Sequence, residues 1–298
     1  MAASPSLREL DRLEDRIRLH RQRDKRPVII VEGPSDARIL QRAFQEKDIA
    51  YFPASTRSLA LEAAEKLEAW AQENFACVVD RDFDDAVEHA EQRLRTVHPY
   101  ENADMEAMLA LSRAGLDLLL EVGSCDKIEK LGGAQKVSSQ LMGILEPVTR
   151  LRRANAENSW GLAFDAVDLS SKIDKKTMTL KVRSFCNALL DNSRNTPELS
   201  TCGWPELPSL STLMDHAEGR QHVTREPVCP RGSKPYFRGR DFLLVLGVAL
   251  CGYCGTKRAQ SVTQDILEGA LRLAGAHELG LSQWGLDLLR LIGAICND

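Results

Sequence analysis

Val28-Ile29-Ile30-Val31-Glu32-Gly33-Pro34-Ser35-Asp36 and, further on, Phe75-Ala76-Cys77-Val78-Val79-Asp80-Arg81-Asp82 are the stretches that decide the fold. Each opens with an uninterrupted apolar run, all β-branched in the first. Runs of that length suit strands covered on both faces, as in a parallel sheet. Each ends abruptly in acid. Between them, Ser35 or Asp36 can cap a helix reaching about Lys47. Ile49 to Phe52 reads as a second strand. Leu59 to Glu73 reads as a helix with Leu61, Ala64, Leu67 and Ala71 on one face. This βαβαβ order with short connections predicts a parallel sheet with right-handed crossovers.

Upstream, residues 6 to 26 read as a charged helix stopped by Pro27. Downstream, Ala86 to Arg95 is expected to be helical, Thr96 to Tyr100 to add a fourth strand, and Asp104 to Arg113 to form another helix. From about Gly115 helical signals dominate: Lys127–Leu145, Thr177–Leu190, Pro208–Ala217, Arg240–Cys251, Ser261–Ala274 and Ser282–Ile295. Trp160 to Leu169 reads as a short strand, and residues 219 to 240, crowded with Gly, Pro and Arg, as a loop. The expected organisation is a charged helix (1–26), an α/β domain with a mostly parallel four-stranded sheet flanked by helices (27–115), and a mainly helical C-terminal region (116–298) for substrate and partner binding.

The composition narrows the function classes. With 298 residues, 43% hydrophobic and 28% charged, the chain reads as an ordinary globular protein. No apolar run approaches the roughly 20 residues of a bilayer span, so no membrane association is expected. The charged, periodic N-terminus resembles neither a signal nor a transit peptide, which points to the cytoplasm. The formal net charge of −4 means that nucleic-acid contact must come from local basic patches. Eight scattered cysteines read as reduced thiols. Cys251-x-x-Cys254 lacks the second pair that a zinc site needs, and reads as a buried helix end.

In an open parallel sheet, ligands sit beyond the carboxyl ends of the strands. If the strands ending at Glu32 and Asp80 are neighbours, Glu32, Asp80 and Asp82 converge on one crevice. Carboxylates that close repel one another unless a cation offsets them. Mg²⁺, with Mn²⁺ as a substitute, is the natural partner, because it accepts one or two carboxylates and retains waters and phosphate oxygens. The single glycine of the first turn excludes a dinucleotide-binding fingerprint, and no phosphate-binding Gly-x-x-x-x-Gly-Lys loop exists.

At these residues the sequence resembles the TOPRIM domain of topoisomerases, primases, small RNA-maturation nucleases and OLD-family nucleases. The resemblance covers roughly residues 27 to 115. Tyr100-Glu101-Asn102-Ala103-Asp104-Met105-Glu106-Ala107-Met108-Leu109 is similar to the acidic motif that follows the sheet in an OLD-like TOPRIM family. Phe237-Arg238-Gly239-Arg240-Asp241-Phe242-Leu243 is similar to that family's later Gly-basic-Asp-apolar motif, although Arg240 stands where histidine or lysine is common. The family includes the nuclease subunit of the PARIS anti-phage system, which works with an ABC-type ATPase sensor. The resemblance implies an Mg²⁺-dependent endonuclease acting as a toxic effector, with RNA such as tRNA as candidate substrate, an ATPase partner, and a homodimer as a candidate active form. The catalytic tyrosine domain of topoisomerases and the zinc and polymerase modules of primases are not legible here. A DNA-nicking OLD-type nuclease and a non-catalytic interaction module are the alternatives.

Within that frame Glu32 is expected to act either as general base or as a metal holder near the attacking water. Asp80 is the first metal ligand and Asp82 the second. Asp36 is either a helix cap or part of the site. Asp104 and Glu106 either place a carboxylate near a second metal or supply N-terminal helix charge. For nucleic acid, the basic candidates are Arg81, Arg231, Lys234, Arg238 and Arg240, with Tyr236 and Phe237 as surfaces for base stacking. Lys172, Lys175, Lys176, Lys181 and Arg183 form a second patch.

Overall fold

A computed structural model describes residues 12–195, 207–223 and 234–295. The described residues fall into two compact units. The first takes the described residues up to Arg81, Asp85–Tyr100 and those from Gly275 onward, and the second Asp82–Asp84 and the described residues between Glu101 and Ala274.

The first unit opens with α1 (Leu13–Arg23), β1 (Val28–Val31), α2 (Pro34–Ala43), β2 (Ala50–Pro53), α3 (Arg57–Ala69), β3 (Phe75–Val78) and α4 (Ala86–Arg93). The sheet order is β2-β1-β3, all parallel, with Val28 paired to both Ala50 and Phe75. β1 lies centrally, and every one of its side chains is buried, as are those of β3. β2 is an edge, buried only at Ala50. Alternate residues Val28, Ile30, Phe75, Cys77 and Val79 join Ile17, Ala60, Ala63, Ala64 and Leu67 in one core. The alanine-rich face of α3 lets its backbone approach the sheet closely. Each fully buried Val or Ile contributes roughly 1.5–3 kcal/mol.

The expected four-stranded sheet is instead three-stranded, with a single parallel bridge between Cys77 and Val97 at its edge. The Cys77 amide donates to Thr96 O at 2.8 Å, the His98 amide to Cys77 O at 2.8 Å, and the Tyr100 amide to Val79 O at a longer 3.2 Å. The pairing is lost at its start for a local reason: Thr96 turns its amide and hydroxyl onto the Glu68 carboxylate.

The second unit contains α5 (Met105–Leu111), α6 (Arg113–Val122), α7 (Cys125–Lys130), the long α8 (Ala134–Asn158), β4 (Ile173–Asp174), β5 (Thr179–Leu180), α9 (Val182–Arg194), α10 (Leu210–Ala217) and α11 (Gly239–Leu250). α12 (Gln264–Leu281) contributes its residues up to Ala274 here and those from Gly275 to the first unit. α8 is the axis, packed against α6, α7, α10 and α11. The strand expected over Trp160–Leu169 is absent: Phe164–Ala166 is a 3-10 turn, and the small antiparallel pair is β4 with β5.

The last helix, α13 (Gln283–Leu291), belongs to the first unit and packs on β3. Trp284, 1% exposed, stacks on Tyr100 with ring centroids 5.1 Å apart and donates its indole N–H to Pro99 O at 2.9 Å. No described helix is long and apolar enough to cross a membrane.

Candidate active site

Glu32 follows β1 directly, and Asp80 lies two residues beyond Val78, the last residue of β3. Because those strands are parallel neighbours, both acids emerge at the same edge. One carboxylate oxygen of Glu32 accepts the Asp80 amide at 2.9 Å. On the other side the Ser55 amide donates to the Glu32 carbonyl at 2.8 Å, while the Ala54 amide donates to Val31 O at 2.8 Å. Glu32 is therefore braced through its backbone by the chain leaving β2 and through its side chain by the chain leaving β3. Both Glu32 and Asp80 are half-buried. Burial, and then the charge on Glu32, push the Cys77 thiol of β3 upward, so this thiol stays neutral beneath the site.

The turn after Glu32 starts α2, with Gly33 as N-cap and Pro34 in the first turn. Asp36 accepts the Gly33 amide at 2.9 Å, so it closes this turn as a helix-capping carboxylate. Gly33 itself has extended backbone, φ −133°. A Cβ there would meet nothing nearer than the Asp36 carboxylate at 3.4 Å. Neither φ nor protein packing demands glycine at 33, and its bare backbone leaves room beside Glu32 for a ligand.

Arg81 is committed elsewhere. Its side chain is buried, donates to Tyr100 O at 2.7 Å and forms a two-pronged ion pair with Glu91 at 2.6 and 3.0 Å. These bonds hold the loop after β3 against α4, and of the two roles open to Arg81, pairing with a phosphate or neutralising its acidic neighbours, they use the guanidinium on the acid Glu91.

Arg57 escaped the sequence reading. It is the first residue of α3, four residues past β2, and its guanidinium donates to Arg81 O at 3.3 Å. It therefore stands at the carboxyl edge of the sheet, where the chain also brings Glu32 and Asp80. The signal was present: a cation in the first helical turn opposes the helix dipole, and α3 has no acid there to offset it.

The remaining candidates lie in the second unit. Asp82 adopts φ +50°, in the left-handed region, with its amide held by Ala103 O at 2.9 Å and its carbonyl by the Tyr236 hydroxyl. Asp104 caps α5 through the Ala107 amide at 2.8 Å and accepts the Gly239 amide on both oxygens. Burial first, and the Glu106 charge second, push its carboxyl up to about 8, against the pull of those backbone amides and Arg238. Glu106 is buried and paired with Arg272. Asp104 thus serves as a helix cap, and Glu106 is held in an ion pair.

Asp241 binds Arg152 through two hydrogen bonds at 2.8 and 2.9 Å. Asn102 accepts the Phe237 amide at 3.1 Å and donates to Pro235 O at 3.1 Å. The motifs around residues 104 and 239, far apart in sequence, are thus stitched together. Arg238 pairs with Asp165, Arg240 lies 3.8 Å from Glu268, Lys234 is exposed, and Arg231 lies outside the described residues. Tyr236 and Phe237 are buried, which corrects their expected role as open stacking surfaces.

Cys254 is fully buried, and burial pushes its thiol up to about 11, as fits an apolar helix end. Among the described residues, no group of three or more His, Cys, Asp or Glu side chains is arranged to hold a metal ion. No known family model and no curated protein matches this chain.

Proposed function

We propose that the chain is a TOPRIM-type, Mg²⁺-dependent endonuclease whose chemistry centres on Glu32 and Asp80. The single observation that carries this reading is the 2.9 Å hydrogen bond between the Glu32 carboxylate and the Asp80 amide at the carboxyl ends of adjacent parallel strands. Hard carboxylate oxygens beside a glycine with no steric need to be one suit a divalent cation that keeps part of its water shell. Glu32 and Asp80 would hold the ion, which when bound stabilises negative charge on the phosphate and the leaving alkoxide. Asp82, one residue past Arg81, is the third acid of the motif.

Glu32 has one oxygen engaged by the Asp80 amide. Glu32 serves either to hold that ion or as the general base that takes a proton from the attacking water. Arg57 supplies a cation at the same edge, suited to a nonbridging phosphate oxygen. RNA, tRNA in particular, is the favoured substrate. A role in anti-phage defence under an ABC-type ATPase rests on the resemblance of the sequence motifs.

The deciding experiment incubates purified protein with Mg²⁺ or Mn²⁺ against total cellular RNA and plasmid DNA. Cleavage that disappears in EDTA and in Glu32→Ala supports the reading, and the substrate cut separates RNA from DNA specificity. Cleavage surviving in a folded Glu32→Ala protein refutes it.

A further inference from the structure

The second unit contains a cavity of about 460 Å³ on one face of α8, closed by the end of α10 and by Pro235 and Tyr236. Its size falls within the range of small-molecule sites. Gly143 lies in its wall, in the middle of a helix of 25 residues. Glycine is unfavourable there. Packing supplies no reason for it, because a Cβ at 143 would meet nothing within 4 Å. The missing side chain keeps the cavity open.

Four residues later α8 contains Pro147. Proline has no amide, so the Gly143 carbonyl lacks its usual helical donor. Around the cavity stand Arg150, Arg153 and Lys234, against one acid, Glu146, among the described lining residues. Arg150 spends part of its guanidinium on Ala217 O, at 3.2 Å, and on Glu146. The Arg153 guanidinium lies 5.4 Å from the centroid of the Tyr236 ring, a planar cation laid on an aromatic face. Met142 adds apolar surface, and His216, 3% exposed, borders the cavity with an imidazole Nε2 that has no hydrogen-bond partner among the described residues.

We propose that this cavity binds a nucleotide. The cations suit its phosphate, and the planar Arg153 guanidinium and the apolar Met142 side chain suit its base. A free mononucleotide and one nucleotide of a strand share this chemistry.

The test is calorimetry on the full chain in EDTA, with AMP and with a short oligoadenylate as probes. Binding is read without cleavage, so the result is independent of whether Glu32 and Asp80 catalyse. Gly143→Leu is expected to fill the space and raise the dissociation constant at least tenfold without lowering the melting temperature. Lys234→Gln, at an exposed side chain, should weaken binding severalfold and serves if Gly143→Leu fails to fold. AMP binding lost in these variants supports a free nucleotide. Oligonucleotide binding alone, with the same losses, supports a strand presenting it. Absence of binding by both probes, or binding that neither variant changes, overturns the proposal.

Discussion

The Gly239 amide lies 3.0 and 2.9 Å from the two carboxylate oxygens of Asp104, joining the first turns of α5 and α11 across 135 residues of sequence. A Cβ at 239 would fall 2.3 Å from the Glu106 Cβ and 2.4 Å from the Ala107 amide, inside van der Waals contact with groups that cannot swing away. Gly239→Ala is therefore expected to destabilise the protein by about 3 kcal/mol, as overpacking that also breaks a hydrogen bond does. Urea denaturation measures this, and an unchanged midpoint would contradict the close approach.

The same carboxyl sets a pH dependence. With Asp104 raised to about 8 by burial and Glu106, the folded state keeps a proton that the unfolded chain releases near 4. Between those values the folded state binds more protons, so this group's contribution to stability falls as pH rises. Asp104→Asn removes the titration. The stability of the wild type relative to Asp104→Asn should fall from pH 5 to pH 8, and parallel profiles would show that Asp104 is ionised throughout.

Glu32→Gln retains an oxygen for the Asp80 amide but cannot accept a proton. It should melt within a few degrees of the wild type while cleaving roughly 10²–10⁴-fold more slowly. Asp80→Asn should abolish the heat of Mg²⁺ binding. A Glu32→Gln protein of full activity would remove Glu32 from the chemistry.

Arg57 and Arg81 should behave oppositely. Arg57→Gln is expected to lower cleavage about tenfold, chiefly through KM, with little loss of stability. Arg81→Met strands the Tyr100 carbonyl and the Glu91 carboxylate, so it should cost about 1–3 kcal/mol of stability. Steady-state kinetics beside thermal melts distinguish the two. A stability loss for Arg57→Gln that equals its loss of activity would show that Arg57 only braces the Arg81 carbonyl.

The first unit's strands and helices were legible because their periods are local: Val28–Val31 and Phe75–Val79 are uniform apolar runs, and α3 repeats its small apolar face every three or four residues. Acids at the ends of two such runs were legible for the same reason. Long-range partnership was not. Nothing near Asp104 announces Gly239, and nothing near Arg81 announces that Glu91, one turn into α4 and beyond, would claim it. The Thr96–Tyr100 strand shortened to a bridge under side-chain competition from Glu68, an effect weaker than the pattern that suggested it. The expected break near residue 115 does not coincide with the compact units, because Trp284 returns to Tyr100 and closes the first unit from the far end of the sequence.

That return has a temporal consequence. Pro99 and Trp284 are 185 residues apart. At about 5–20 residues per second, a ribosome needs roughly 10–40 s to travel between them. Throughout that interval the emerging β-strands lack their covering indole, so the unit carrying Glu32 and Asp80 is expected to mature only after Trp284 has been synthesised. Ribosome-stalled chains ending before residue 275 should accordingly be cut by protease within residues 28–100, whereas the released full chain should resist.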